Sequence, residues 1–245
     1  MAQIKYGADR GPTLVAQSIY EASKTQKHPL GHRLQLGDRV FRYAKDGGSG
    51  LAAGKLALSG ASVANHHDIT VATTVAGLKK ITVTLGATAA TKNQYAEGFL
   101  AIIAGTGLGQ IYKIKSHPAA DASATLELTL YDELAVATDA SDSKGDLCAN
   151  PYAAVQNSTT TALQDAGVPL VAVPANYFCW LQTWGICVIL THTADTAAEG
   201  TLLSHGAVAG SVVTQAGYTA SLVGISVGQA RAATEHNLVD LRIRP

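Results

Sequence analysis

From Leu34 onward, the apolar residues of this chain recur with a period of two, in short runs separated by Gly, Pro or Asn. Residues 81–85 and 126–130 alternate strictly between aliphatic and polar side chains, which is typical of half-buried antiparallel strands. Residues 99–104 and 111–115 flank a glycine-rich turn, which predicts a β-hairpin. The pattern predicts a mainly β fold of antiparallel β-barrel or sandwich modules, with an extended N-terminal arm and few short helices.

The predicted strands fall into two series. Residues 1–33 lack apolar periodicity and are interrupted by Gly and Pro, which predicts an N-terminal arm that a partner orders. We expect a β-rich domain over residues 34–157 and a second, β-barrel-like domain over residues 158–245, with a further break at Asn150-Pro151. Because the strands begin after the arm, we expect the β domains to fold without it.

The charges are balanced overall but unevenly distributed. Eighteen Lys and Arg residues face 18 Asp and Glu residues, and only 15% of residues are charged. A neutral chain argues against a dedicated nucleic-acid binder, which normally shows a basic excess. Residues 1–60 hold nine basic and four acidic residues, so the basic excess lies in the N-terminal quarter.

Few residues have the spacing of a cofactor-binding, metal-binding or catalytic site. The run GTGLG at 105–109 has the spacing G-x-G-x-G and lies between two strands, whereas a dinucleotide loop opens a helix; glycines of a tight turn are the simpler interpretation. His66-His67-Asp68 is the densest cluster of metal-type ligands, either a loop site for one ion or a polar loop tip. Asp132-Glu133 is a carboxylate pair more typical of a solvated turn than of acid–base catalysis. We predict no catalytic residue, no metal site and no cofactor, and hence no enzyme.

Aromatic and cysteine residues leave two alternatives open. Trp180 and Trp184 either stack sugars on an exposed face or fill a core or an interface. The three cysteines (Cys148, Cys179 and Cys187) show no paired spacing, so buried thiols are expected rather than a disulfide framework.

The chain shows no expected membrane segment. Charged residues occupy positions 1–20 where a signal peptide would be apolar, so synthesis in a cytoplasm is expected. The apolar stretch 168–190 contains two prolines and is interpreted as two adjacent strands rather than as a membrane span.

Several runs of this sequence resemble the virion structural proteins of tailed bacteriophages, of the capsid decoration (cement) type, which are commonly encoded beside the major capsid protein. The runs are GDRVFRY at 37–43, LAAGK at 51–55, GLGQIYKI at 107–114, GVPLVAV at 167–173 and WLQTWG at 180–185. They consist of glycines and strand residues, so they specify a fold more than a function.

The resemblance implies a non-enzymatic protein on the exterior of an icosahedral phage head, made in the host cytoplasm. Its implied partners are the major capsid protein and further copies of itself, as a homotrimer, with no membrane and no direct nucleic-acid binding. A tail, neck or head-fibre component and a carbohydrate-binding virion module are the alternatives. The expected capsid contacts are basic residues of the arm: Lys5, Arg10, Lys24, Lys27 and Arg33.

Overall fold

The computed structural model describes residues 17–159, 163–192, 197–215, 221–228 and 235–245. It confirms a mainly β fold with antiparallel sheets and a closed barrel. In the described part of the chain, the helical structure is a single 3₁₀ turn over Ala64–His66. The strands, in chain order, are β1 (Arg33–Leu36), β2 (Arg39–Lys45), β3 (Ala57–Leu58), β4 (Ile69–Val71), β5 (Lys80–Thr84), β6 (Phe99–Ala104), β7 (Ile111–Ser116), β8 (Thr125–Leu130), β9 (Lys144–Cys148), β10 (Asp165–Pro169), β11 (Phe178–Leu190), β12 (Leu202–His205), β13 (Val212–Thr214), β14 (Leu222–Ser226) and β15 (His236–Arg242).

The chain divides into two compact units, and the division differs from the predicted one. Unit 1 comprises residues 1–60 and 151–245, and unit 2 comprises residues 61–150. The predicted boundary between 157 and 158 does not separate them, because β2 pairs with β11 and β3 pairs with β10. These long-range pairings bring the first strands into the sheet of the C-terminal strands. Unit 2 is therefore an insertion in the sequence of unit 1, and it ends at the Asn150-Pro151 break.

Unit 1 is built on a sheet in the order β1-β2-β11-β15-β14-β12-β13, with β10 paired to both β11 and β3. The apolar stretch 168–190 forms the end of β10 and all of β11, which pair with each other as adjacent antiparallel strands. β11 is 13 residues long: its residues 178–184 pair with β2, with a register irregularity between Gln182 and Trp184, and its residues 184–190 pair with β15.

Unit 2 is a closed six-stranded barrel in the order β4-β5-β8-β7-β6-β9. The strands predicted at 81–85 and 126–130 and the hairpin of 99–104 with 111–115 are all confirmed. Their alternate aliphatic residues fill the interior, and closure pairs both edges of the sheet. Fully buried side chains of this core include Val71, Val83, Leu100, Ile114, Leu126 and Leu128.

Residues 17–32 are irregular, as the arm prediction requires, but their own chain orders them. Gln17 is 1% exposed, and Ile19 packs with the buried aromatic side chains of β2 and β11. Ser23 forms two backbone hydrogen bonds with Phe178, of 2.8 and 2.9 Å. The expectation that a partner orders this segment is therefore wrong for residues 17–32. That the β domains fold without the segment stays a prediction. Residues 1–16 lie outside the described residues.

Candidate functional site

Three loops meet at one end of the unit 2 barrel because of the strand order. β4, β6 and β8 run in one direction and β5, β7 and β9 in the other, since every neighbouring pair is antiparallel. The β4–β5, β6–β7 and β8–β9 loops therefore share one end, which we call the barrel end. The chain enters the barrel before β4 and leaves it after β9, at the opposite end.

The barrel end carries all the large apolar side chains that unit 2 exposes. Most such side chains in unit 2 are in its core, so this segregation is a specific feature of the surface. An exposed cluster of this kind typically marks an interaction site. The members, located in the three loops or at the strand ends beside them, are Val75, Leu78, Ile103, Leu108, Ile111, Tyr131 and Val136.

Hydrogen bonds tie the β8–β9 loop to the β4–β5 loop. Thr74 and Thr138 exchange two backbone hydrogen bonds, of 2.9 and 3.1 Å. Leu134 of the β8–β9 loop has both backbone groups bonded to the β4–β5 loop: its oxygen accepts from the Gly77 N–H at 2.8 Å, and its N–H donates to the Leu78 oxygen at 2.9 Å. Four backbone hydrogen bonds therefore join the two loops.

The β6–β7 loop is tied to the β8–β9 loop by side chains. Thr106 donates its hydroxyl to the Asp142 carboxylate at 3.0 Å and its backbone N–H at 3.1 Å. The Ser143 hydroxyl donates to the backbone oxygen of Thr106 at 2.7 Å. All three loops are thus cross-linked, and the apolar side chains project from an ordered platform.

The glycine run at 105–109 is a hairpin turn, as predicted. Gly105, Gly107 and Gly109 have φ of +72°, +88° and +87°, a conformation that favours glycine. No helix follows the turn, since β7 begins at Ile111. The run positions Leu108, which is 64% exposed at its tip.

The β8–β9 loop adds negative charge to the barrel end. Asp132, Glu133, Asp139 and Asp142 are all exposed. Hydrogen bonds from the backbone N–H and the hydroxyl of Ser141 lower the pKa of Asp139, which keeps this carboxylate ionised. Asp132-Glu133 therefore belongs to a solvated acidic loop.

A second apolar surface lies on unit 1. We call it the sheet face: the outward side of the adjacent strands β11, β15, β14 and β12. Its side chains alternate with the core residues of the same strands. The outward aliphatic residues, including Val227 just after β14, are Ile186, Val188, Leu202, Ile225, Val227 and Leu238.

A shallow apolar groove of about 360 Å³ adjoins the sheet face. It shares Val188 and His236 with strands β11 and β15. Gly54 lines its floor, where a Cβ atom would come within 2.7 Å of the His236 ring. The groove therefore extends the apolar surface beyond the sheet itself.

The side chains of the His66-His67-Asp68 cluster do not meet at one point. His66 is fully buried, and both its ring nitrogens have partners: Nε2–H donates to the Thr88 oxygen at 2.9 Å, and Nδ1 accepts from the Tyr95 hydroxyl. His67 instead pairs with Asp146 at 3.1 Å. Among the residues that the structure describes, no group of three or more potential ligands could hold a metal ion.

His117 lies near this cluster and is held neutral. It is 3% exposed; Nδ1–H donates to the Pro118 oxygen at 2.7 Å, and Nε2 accepts from the Tyr95 N–H at 2.9 Å. Burial lowers the pKa of His117, and burial also raises the pKa of Tyr95 to about 12. These groups form a buried polar network at the end of the barrel where the chain enters.

The two tryptophans do not form an exposed stacking platform. Trp180 is 1% exposed, and its Nε1–H donates to the Gln17 oxygen at 3.0 Å. Trp184 is half-buried and pairs with Arg242 in the strand register. Trp180 is therefore a core residue, and the sugar-stacking interpretation of the pair is wrong.

The cysteines differ in exposure. Cys179 and Cys187 are buried, and burial raises the pKa of each thiol to about 12. Cys148 is exposed, contrary to the expectation that all three are buried. Among the described residues, no helix has the length and apolar character needed to span a bilayer.

The predicted capsid-contact residues are only partly placed. Lys24, Lys27 and Arg33 are exposed on or beside the segment that packs on unit 1. Lys5 and Arg10 lie outside the described residues. The structure therefore assembles three of the five basic residues on one ordered segment.

Both apolar surfaces were missed from the sequence. The signal for the barrel end was an aliphatic residue, Leu108, inside a turn of glycines, where a polar residue is usual. The signal for the sheet face was the poor alternation of β11, where Ile186, Cys187, Val188 and Ile189 are consecutive.

Comparisons with known proteins identify no relative of this chain. No protein-family model, no curated protein and no solved structure matches the chain. The barrel end and the sheet face are therefore the observations from which a function can be argued.

Proposed function

We propose that the chain is a non-enzymatic virion protein that decorates the exterior of an icosahedral phage head and binds the major capsid protein. The observation that carries the proposal is the barrel end, where apolar side chains are exposed on three cross-linked loops. The resemblance of the sequence to capsid decoration proteins supplies the identity of the partner. Self-association as a homotrimer belongs to the same proposal.

The barrel end has the physical properties of a preformed binding surface. A loop that is ordered only on binding loses conformational entropy, which weakens the complex. Here hydrogen bonds among Thr74, Thr138, Thr106 and Asp142 already fix the loops. Burial of side chains such as Leu108 and Ile111, 64% and 63% exposed, therefore contributes to affinity with little ordering cost.

The charge of the barrel end limits the kinds of surface that can bind it. The β8–β9 loop contributes four exposed carboxylates and the β4–β5 loop one exposed cation, Lys79, so the barrel end keeps an acidic excess and a copy of the same surface is a poor partner. A capsid surface with an apolar depression and a basic rim is complementary to it. Such binding weakens as salt screens the charges.

The basic residues form a second capsid contact in the proposal. Lys24, Lys27 and Arg33 would meet acidic groups on the shell, together with Lys5 and Arg10. Because the segment 17–32 packs on unit 1, these side chains are presented by a folded unit. Neither contact involves nucleic acid or a membrane.

A co-sedimentation assay tests the proposal. Purified protein is mixed with expanded heads assembled from the major capsid protein of the phage that encodes it, and bound protein is quantified after ultracentrifugation. Leu108→Asp should lower affinity by about 30-fold or more, the effect of removing a central interface residue. Ala119→Asp, an exposed apolar-to-acidic change in the loop between β7 and β8 at the opposite barrel end, is the matched control and should bind normally.

The same assay separates the two contacts. A Lys24→Glu, Lys27→Glu double variant should also bind heads more weakly than the wild-type protein, because it replaces two basic side chains of the second contact by acidic ones. Saturable binding of the wild-type protein with loss in Leu108→Asp supports the proposal. Absence of wild-type binding to heads, with binding to tails instead, would replace it by the tail or neck alternative.

A further inference from the structure

The strands β11, β15, β14 and β12 carry aliphatic residues on both sides of the sheet. Inward, Cys187, Ile189, Val239, Leu241 and Leu203 are buried in one core cluster. An antiparallel sheet with one solvated side normally alternates aliphatic inward with polar outward residues. The outward aliphatic residues of the sheet face depart from that pattern.

The outward residues form two rows across the strands. In the first row, Val188 pairs with Leu238, whose oxygen accepts a hydrogen bond from the Val227 N–H at 3.0 Å. In the second row, Asp240 separates Ile186 from Ile225, and Ile225 pairs with Leu202 in the next strand. The apolar surface is therefore continuous, with one carboxylate near its middle.

The sheet face carries balanced charge. Asp240 is paired with Arg242 at 3.2 Å, and the two side chains are 28% and 46% exposed. A surface without excess charge can pack on a copy of itself without like-charge repulsion. This distinguishes it from the barrel end, whose acidic excess favours a basic partner.

The size of the face suits a reversible complex. Strand spacing of about 4.8 Å and a rise of about 3.4 Å per residue give four strands of about six residues a plane area of roughly 400 Å². The accessible area of side chains standing on that plane is larger. Two such faces, with the adjoining groove, therefore approach the ~1,200 Å² at which specific protein–protein interfaces begin.

We infer that the sheet face is buried against a second copy of this chain, with the groove beside Val188 and His236 receiving aliphatic side chains of that copy. The inference rests on the self-association in the proposed function and names its surface. If two identical faces pack on each other about a two-fold axis, the assembly is complete as a dimer. In a ring of three copies, each sheet face instead packs on a different surface of the next copy.

Light scattering after size exclusion tests this on the full chain at about 10–100 µM, because weak interfaces have dissociation constants in the micromolar range. The wild-type mass should be three times 25.2 kDa for the proposed homotrimer. A mass of twice 25.2 kDa that is lost in the face variants would support the sheet-face contact and contradict the trimer. Val188→Asp should give 25.2 kDa, with the dissociation constant raised about 30-fold or more. Leu238→Asp is the second face variant, and Val75→Asp on the barrel end should keep the wild-type mass.

Salt gives an independent readout. Association through a neutral apolar face should change little between 50 and 500 mM NaCl, about a threefold change in Debye length. A monomeric wild-type protein at 100 µM, about the top of the tested range, would overturn the inference. So would an oligomer that persists in both face variants when circular dichroism shows them folded. Loss of capsid binding in Leu108→Asp with unchanged mass would separate the capsid contact from this one.

Discussion

Replacement of Gln17 by alanine tests how strongly residues 17–32 stabilise unit 1. The buried amide donates to the oxygens of Glu21 at 2.8 Å and Phe178 at 3.0 Å, and its Oε1 accepts from the Tyr43 hydroxyl at 2.7 Å. Each bond contributes about 0.5–1.5 kcal/mol, and a buried hydroxyl left without an acceptor costs about 1–3 kcal/mol. Because these contributions overlap, we expect Gln17→Ala to lower the free energy of unfolding by about 2–4 kcal/mol.

Tryptophan fluorescence during urea unfolding measures this loss. Both tryptophans lie in unit 1, so their emission follows that unit alone. The midpoint should fall by about 1–2 M urea for an m-value near 2 kcal/mol/M. The control, Gln35→Ala, removes an exposed glutamine and should change stability by less than about 0.5 kcal/mol. Equal midpoints for the two variants would refute the packing of residues 17–32 on unit 1.

Three further predictions concern the barrel and the thiols. Burial lowers the pKa of His117 below its usual 6.5, so as pH falls the unfolded chain binds a proton at this residue before the folded chain does. The free energy of unfolding of unit 2 should therefore be highest above pH 6.5 and decrease as pH falls through the lowered pKa. Hydrogen exchange in peptides from 61–150 should show this loss, and His117→Gln should flatten it. Gly105→Ala places a Cβ against the Asp142 backbone and should destabilise the barrel by more than 2 kcal/mol, about twice the effect of Gly109→Ala, which meets nothing within 4 Å; equal thermal midpoints would contradict this. A colorimetric thiol reagent should modify Cys148 in the native protein and the two buried thiols only after unfolding; rapid modification of all three would contradict their burial.

Local pattern predicted the elements of unit 2 but not the organisation of the chain. Alternation at 81–85 and 126–130 is a property of neighbouring residues, so it identifies strands wherever they pair. The pairing of Tyr43 with Trp180 joins residues 137 positions apart, and nothing local in either strand specifies it. The boundary at 157 and 158 was therefore misplaced, whereas the Asn150-Pro151 break was visible because Pro interrupts a strand locally.

The candidate surfaces were hidden from the sequence for a related reason. An aliphatic residue in a strand has the same identity whether it faces a core or solvent, so Val188 and Ile189 cannot be distinguished without the fold. Whether Trp180 is buried could not be predicted from its neighbours in sequence, because its indole N–H donates a hydrogen bond to Gln17, which lies in a distant segment. By contrast, the turn at 105–109 was predicted, because positive φ selects glycine at positions 105, 107 and 109.

Cryo-electron microscopy of the phage particle tests the central claim most directly. The account predicts density for a six-stranded barrel on the outer surface of the head, with the loops that carry Val75, Leu108 and Tyr131 against the major capsid protein. Density for the chain in the tail or neck, or a head without it, would contradict capsid decoration. A decorated head whose barrel ends point away from the shell would contradict the assignment of the barrel end as the capsid contact.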